Sequence, residues 1–271
     1  MRTIAIFNQK GGVGKTITAA TMAHILATRH NKRVLLGDCD GQGNLTQYFG
    51  VDPDNATTTL DLLTGDHEMC CADYVTHITD RIHLIPADSR LLLADLRAIT
   101  GKQEEDGSAW LVDPLLQLAD LRDVVAEDDA YDFFILDCPT GFSTAAAAAL
   151  IAADDVIIPI RMGDSFSTSG MSVLLMIVAQ MRQYNPRLRV AGILPTHYEK
   201  MPEHAEIIRI LREEYGLPVF KAAIYNSKAV SESTFSDEQL VDYSPKAWAS
   251  HAYKRFVREY LERTTGGVVN G

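Results

Sequence analysis

The chain has 271 residues, 46% of them hydrophobic, with a formal net charge of −11 that falls on residues 1–180 and leaves residues 181–271 slightly basic. This is enough apolar material for one sizeable α/β core, and the acidity excludes a generic nucleic-acid binder, so any DNA contact must use a local patch in the last third. No apolar run is long enough to span a membrane, and a strand entered at once from the first residues leads us to expect no signal peptide; Cys39, Cys70, Cys71 and Cys138 lack zinc spacing, so reduced thiols in the cytoplasm are expected.

Thr3-Ile4-Ala5-Ile6-Phe7 is an apolar run that predicts a buried strand, and residues 18–27 follow with helical periodicity. Between them stands Lys10-Gly11-Gly12-Val13-Gly14-Lys15-Thr16. This is a phosphate-binding loop, although Gln9 occupies the place where its first glycine is expected. The glycines let backbone N–H groups turn inward towards phosphate oxygens, and the helix adds its positive N-terminal end. Lys15 would reach the β- and γ-phosphates, and the Thr16 hydroxyl would ligate Mg²⁺. Lys10 is an additional cation at the loop's start. It can meet phosphate from a second direction, which points to a nucleotide switch working as a pair of subunits.

A second strand, residues 33–37, runs into Asp38-Cys39-Asp40-Gly41-Gln42-Gly43-Asn44. Alternation puts Asp38 and Asp40 on one side, where they could hold Mg²⁺ waters or orient an attacking water. Residues 57–63 read as a short capped helix, 82–86 as a strand and 88–99 as a helix with a leucine face. An exposed loop over 101–108 and a helix over 114–125 precede a strand over 131–136, which ends at Asp137, the usual acidic companion of a phosphate loop. The alanine run 145–149 predicts a closely packed helix. Then come a strand (156–160), a long helix (167–183) with Met176 and Met181 as gap-fillers, a strand (190–195), and helices over 203–215 and 246–263. The alternation implies an α/β fold: a mostly parallel twisted sheet with helices on both faces, in one domain over residues 1–265. The glycine-rich end, 266–271, is expected to be a disordered tail. Arg182, Arg187, Arg189, Arg209, Arg212, Lys228, Lys246, Lys254, Arg255, Arg258 and Arg263 are candidates for a phosphate-contacting surface.

With these motifs in place, the chain resembles the ParA/MinD family of deviant Walker A ATPases, of the P-loop NTPase type, over nearly its whole length. The match rests on the Lys10–Thr16 motif, Asp38-Cys39-Asp40 with Gln42-Gly43-Asn44, and Asp137-Cys138-Pro139, with looser likeness at Ala152-Ala153-Asp154, 156–160, 224–232 and 241–245. The resemblance implies that two ATP-bound subunits close face to face and that Lys10 crosses to the partner's phosphates. Asp40 would position the hydrolytic water, while Asp38 and Asp137 join Thr16 around Mg²⁺. The nucleotide-binding set is then Gly11, Gly12, Val13, Gly14, Lys15, Thr16 and Ile17, with Pro195, Tyr225 and Asn226 towards the base. Three places depart from the family pattern. Ile17 replaces a hydroxyl residue, Gly41 a proline, and Tyr225-Asn226 a Pro-Arg pair near adenine.

The expected function is that of the family's partition branch. The ATP dimer would bind duplex DNA non-specifically in the bacterial cytoplasm, on the nucleoid, and hydrolyse ATP weakly until a ParB-like centromere-binding protein stimulates it. A membrane-docking tail is not expected, because 264–271 does not form an amphipathic helix. The alternative is a ParA-like positioning or assembly ATPase acting on a protein complex. A metabolic P-loop phosphotransferase is a third option, against which Lys10 argues.

Overall fold

The computed structural model describes residues 1–65, 71–92, 94–95, 113–163, 168–236 and 238–265. Seven strands form one sheet: β1 (Arg2–Ile6), β2 (Val34–Asp38), β3 (Thr76–Thr79), β4 (Ile82–Ile85), β5 (Phe133–Asp137), β6 (Asp155–Arg161) and β7 (Arg189–Thr196). Their spatial order is β3-β4-β2-β5-β1-β6-β7. All pairings are parallel except β3 with β4. The antiparallel edge strand β3 has no counterpart in the sequence reading, because Thr76-His77-Ile78-Thr79 is short and mostly polar.

Ten helices are named here: α1 (Lys15–His30), α2 (Asn44–Tyr48), α3 (Thr59–Thr64), α4 (Gln117–Glu127), α5 (Thr144–Ala152), α6 (Thr168–Met181), α7 (Pro202–Glu213), α8 (Lys228–Ser233), α9 (Leu240–Tyr243) and α10 (Trp248–Thr265). Of the helix expected over 88–99, residues 93 and 96–99 lie outside the described residues, as do the whole 101–108 loop and the 266–271 tail.

Strand alternation divides the interior into two cores. From β1, Ile4 and Ile6 face one side, with Met22, Leu26, Tyr253 and Phe256 of α1 and α10. Ala5 and Phe7 face the other, with the alanines of α5 and Leu174 and Val178 of α6. Every residue from Ala145 to Ala152 is buried. Small side chains let α5 approach the sheet closely, and Ser143 caps it by accepting the Ala146 N–H at 3.1 Å. Met181 packs against this core. Met176 does not fill a gap; it is 56% exposed.

The base of the sheet is held by Asp155, which is fully buried at the start of β6. It accepts from Arg2 Nε at 2.6 Å, Arg189 Nε at 2.5 Å and the Tyr260 hydroxyl at 2.7 Å. β1, β6, β7 and α10 therefore meet at one carboxylate. Burial would raise its pKa, but the bonds from Arg2, Arg189 and Tyr260 outweigh burial and hold it below the ordinary aspartate value.

Candidate functional site

The carboxyl ends of β1, β2, β5 and β7 supply the site, as parallel sheets generally do. β1 runs between β5 and β6 and opens into the Lys10–Thr16 turn. Asn8 fastens the turn's start: its Nδ2 donates to the Pro159 carbonyl at 2.7 Å and its Oδ1 accepts from the Lys10 N–H at 3.0 Å. The Gly141 N–H donates to the Gln9 carbonyl at 3.1 Å and joins the loop after β5 to the same turn. At the far side the Thr196 hydroxyl donates to the Val13 carbonyl at 2.9 Å.

Gly14 sits at φ +87°, a left-handed conformation that turns the backbone into α1. No side chain caps that helix and no acid lies in its first turn. Its first N–H groups and the positive end of its dipole are left for an anion at the mouth of the loop. Gly11, Gly12, Val13, Gly14, Lys15, Thr16 and Ile17 therefore form one continuous cradle.

The two lysines of the loop differ in environment. Lys15 is only 7% exposed. Its ammonium donates to the Lys10 carbonyl at 3.2 Å and to the Thr140 hydroxyl at 3.4 Å. Burial depresses its pKa, against the pull of Asp137, Cys138 and Asp40. Lys10 lies on the exposed rim.

Asp38 and Asp137 end neighbouring strands and face each other in register. Asp38 is fully buried. One oxygen accepts the Thr46 N–H at 2.9 Å and the Thr46 hydroxyl at 2.7 Å, and the other accepts the Asp40 N–H at 3.1 Å. Burial raises its pKa to about 6, with Thr46 pulling it back. Asp38 thus spends its oxygens on shaping the loop that carries Asp40. Thr46, which fixes Asp38, was not anticipated; it lies eight residues on, in the five-residue helix α2, and only its hydroxyl hinted at the role.

Asp137 is the opposite case. It is 1% exposed, and among the described residues neither of its oxygens has a hydrogen-bond partner. Burial, followed by the charge of Asp38, pushes its pKa well above the usual range, opposed first by the neighbouring Thr16 hydroxyl and then by the charge of Lys15. A buried carboxylate left this way is costly unless a cation satisfies it. The residues fit Mg²⁺: Asp137 and the Thr16 hydroxyl would hold the ion, directly or through water. When bound, the ion neutralises charge on phosphate oxygens. Among the described residues no cluster of three or more His, Cys, Asp or Glu makes a metal site elsewhere.

Asp40 is half-buried, and its Oδ1 accepts the Gln42 N–H at 3.0 Å. It lines a cavity with Cys39, Gln42, Leu91, Pro139 and Thr140. Gly41 lies close against Leu92, whose side chain is 50% exposed. A Cβ there would stand 2.8 Å from Leu92 Cγ and 3.3 Å from its backbone nitrogen. The departure from proline at this position is thus matched by Leu92.

A second groove continues from the loop, lined by Gly14, Ile17, Thr196, His197, Tyr225 and Asn226, with Tyr253 beneath. Pro195 is buried and contributes through its carbonyl, which accepts the Ile224 N–H at 2.8 Å and so docks the segment carrying Tyr225. Thr196 and His197 were missed; they lie just beyond the predicted strand end.

Several of the proposed basic contacts are committed internally. Arg263 donates to the Val219 and Ala191 carbonyls and stacks 4.2 Å from the Phe220 ring centre. Arg209 pairs with Glu206 and Glu213, Arg189 with Asp155, and Arg182 with the Leu188 carbonyl. Arg187, Arg212, Lys228, Lys246, Arg255 and Arg258 are exposed, Arg258 lying 3.8 Å from Glu262.

A glycine-turned anion cradle at the carboxyl edge of a parallel sheet, with a buried lysine and a facing aspartate, defines a P-loop nucleoside triphosphatase. Comparison with known proteins narrows this. A family model described as an AAA domain matches residues 1–190. The chromosome-partitioning ATPase Soj of Thermus thermophilus is 33% identical over 265 residues, covering 97% of this chain and 96% of that protein. The chromosome partitioning protein ParA of Caulobacter vibrioides is 32% identical over 266 residues, covering 97% and 95%. Cobyrinic acid a,c-diamide synthase from Mycobacterium smegmatis, solved with ADP and magnesium, superposes with a TM-score of 0.77 at 28% identity, covering 99% and 97%. The chain belongs to the ParA/MinD family of deviant Walker A ATPases. It is accordingly an ATP-hydrolysing enzyme whose cofactors are ATP and Mg²⁺.

Proposed function

We propose that this ATPase partitions DNA. ATP binding would close two copies face to face, with Lys15 on its own subunit's β- and γ-phosphates and Lys10 reaching the partner's. Asp40 would position the attacking water, in a loop whose shape Asp38 and Thr46 maintain. Phosphoryl transfer needs positioning and charge neutralisation more than covalent chemistry, so a lysine supplied in trans makes turnover depend on dimerisation. The ATP dimer would hold duplex DNA non-specifically through exposed cations of the last third, in the cytoplasm at the nucleoid. A ParB-like centromere-binding protein would stimulate hydrolysis, and no membrane takes part.

The observation that carries this reading is the split between the two lysines, Lys15 buried in the cradle and Lys10 on its rim. The relatives named Soj and ParA, matched along almost their full length, support the partition role. The net charge of −11 favours the alternative, a positioning ATPase whose target is a protein complex. Duplex-DNA retention by Asp40→Ala protein, with ATP or ADP at two salt concentrations, decides between them. Partition requires ATP-specific binding that weakens with salt. An ATP dimer that ignores DNA moves the target to a protein surface.

A further inference from the structure

We infer that His77 and His83 form an open site for a divalent metal that favours imidazole, such as Zn²⁺, at the β3 edge of the sheet. The site lies three strands from β1 in the order of the sheet and shares no residue with the phosphate cradle.

β3 and β4 are antiparallel, and His77 stands directly opposite His83 in their register. Directly opposed residues project from the same face of a sheet, and the two imidazole rings lie with their centroids 4.9 Å apart, tilted by 47°. From His83 the same row continues inward to Leu35 on β2 and Phe134 on β5, both fully buried. Imidazoles thus take over where an apolar row reaches the edge. Such a pair gains little from itself: when both rings are protonated they repel, and when both are neutral each keeps a lone pair. A shared cation uses both lone pairs.

His83 is already oriented for this role. With its proton on Nδ1 it donates to the hydroxyl oxygen of buried Tyr131 at 2.7 Å, and the two rings meet edge-to-face at 5.5 Å. Engaging Nδ1 leaves Nε2 as the ligand atom and fixes the ring, which is what the outer partner of a metal-binding histidine does. His77 is exposed, so an ion reaches the pair from solvent without opening the core. Two nitrogen ligands also choose the metal. Imidazole suits Zn²⁺, Ni²⁺ and Cu²⁺, whereas Mg²⁺ takes oxygen ligands of the kind Asp137 and Thr16 offer. Water fills the remaining positions of a four-coordinate Zn²⁺, which makes this an open site rather than a closed structural one. The ion would also tie β3 to β4 beside the register irregularity between His77 and Thr79.

Calorimetric titration of ZnCl₂ into the nucleotide-free full-length protein tests this, with Cys70→Ser and Cys71→Ser in place so that those thiols take no metal. One Zn²⁺ per chain should bind and raise the melting temperature. Adding His77→Ala should lower Zn²⁺ affinity by at least about a hundredfold, more than loss of an outer partner costs, and abolish the thermal shift. Without metal that variant should melt as its parent does, because the replaced side chain is exposed. Tyr131→Phe keeps both ligands and should weaken Zn²⁺ binding by roughly 10–100-fold. MgCl₂ should give heats that His77→Ala does not alter. Unchanged Zn²⁺ affinity in His77→Ala, or no saturable Zn²⁺ binding in its parent, overturns the inference.

Discussion

The Lys15 ammonium stands 3.2 Å from the Lys10 carbonyl oxygen. One lysine of the loop thus closes over the backbone of the other, and the two side chains occupy different environments. This contact gathers the turn around the anion cradle and leaves the Lys10 side chain on the rim. The loop's two cations are therefore expected to fail in different ways.

Lys15→Ala should weaken ATP binding by at least about a hundredfold, because the charge nearest the β- and γ-phosphates is gone. Its folding stability should change far less, because relief of the desolvated ammonium is offset by Asp137 losing the cation that opposes it. Calorimetric ATP titration and thermal unfolding of the same protein check both halves.

Lys10→Ala should instead keep ATP binding within a few-fold and reduce steady-state hydrolysis by about a hundredfold or more, as loss of a cation supplied in trans does. Phosphate release measured over a range of protein concentration is the readout. Wild-type turnover should rise faster than linearly with concentration, and that upward curvature should disappear in the variant.

Asp155→Asn should destabilise the fold by about 1–3 kcal/mol, because three hydrogen bonds lose their charged acceptor while Arg2 and Arg189, 32% and 50% exposed, keep part of their hydration. The sign with pH follows from its lowered pKa. Stability from this group is present above the ordinary aspartate pKa near 4 and is lost as pH falls through the lower folded value. Denaturant titrations at neutral pH and below pH 4 should show the gap between wild type and variant narrowing in acid.

Gly41→Pro, which installs the residue usual in the family, should lower the melting temperature here. The added ring atoms enter space held by Leu92, an overpacking cost of about 1–3 kcal/mol. Adding Leu92→Ala should recover part of the loss, and thermal melts of the single and double variants measure the coupling.

Much of this was legible in the chain. The anion loop announces itself because glycine spacing, lysine and threonine are local features that follow a strand and open a helix. The parallel strands were readable because their residues are buried on both faces and appear as continuous apolar runs. What escaped depended on contacts between distant residues. Thr46 reads as one hydroxyl among many until the fold places it on Asp38. Arg263 looks like a solvent-facing cation at the end of a basic helix, yet Phe220 and the Val219 carbonyl claim it. Leu92 shows why Gly41 is tolerated, and only three-dimensional proximity connects them. The paired acids also proved unequal. Strand alternation put Asp38 and Asp40 together, but Asp38 accepts three hydrogen bonds from Thr46 and Asp40, while the charge of Asp137, one strand over, is opposed by the Thr16 hydroxyl and Lys15.

The central claim is that ATP in this loop drives two copies together. The most direct test is the solution mass of Asp40→Ala protein by light scattering, with saturating ATP and Mg²⁺ or with ADP and Mg²⁺. The account predicts a dimer with ATP, a monomer with ADP, and a monomer with both when Lys10→Ala is added. A mass that stays monomeric with ATP bound, or is dimeric whichever nucleotide is present, would contradict it.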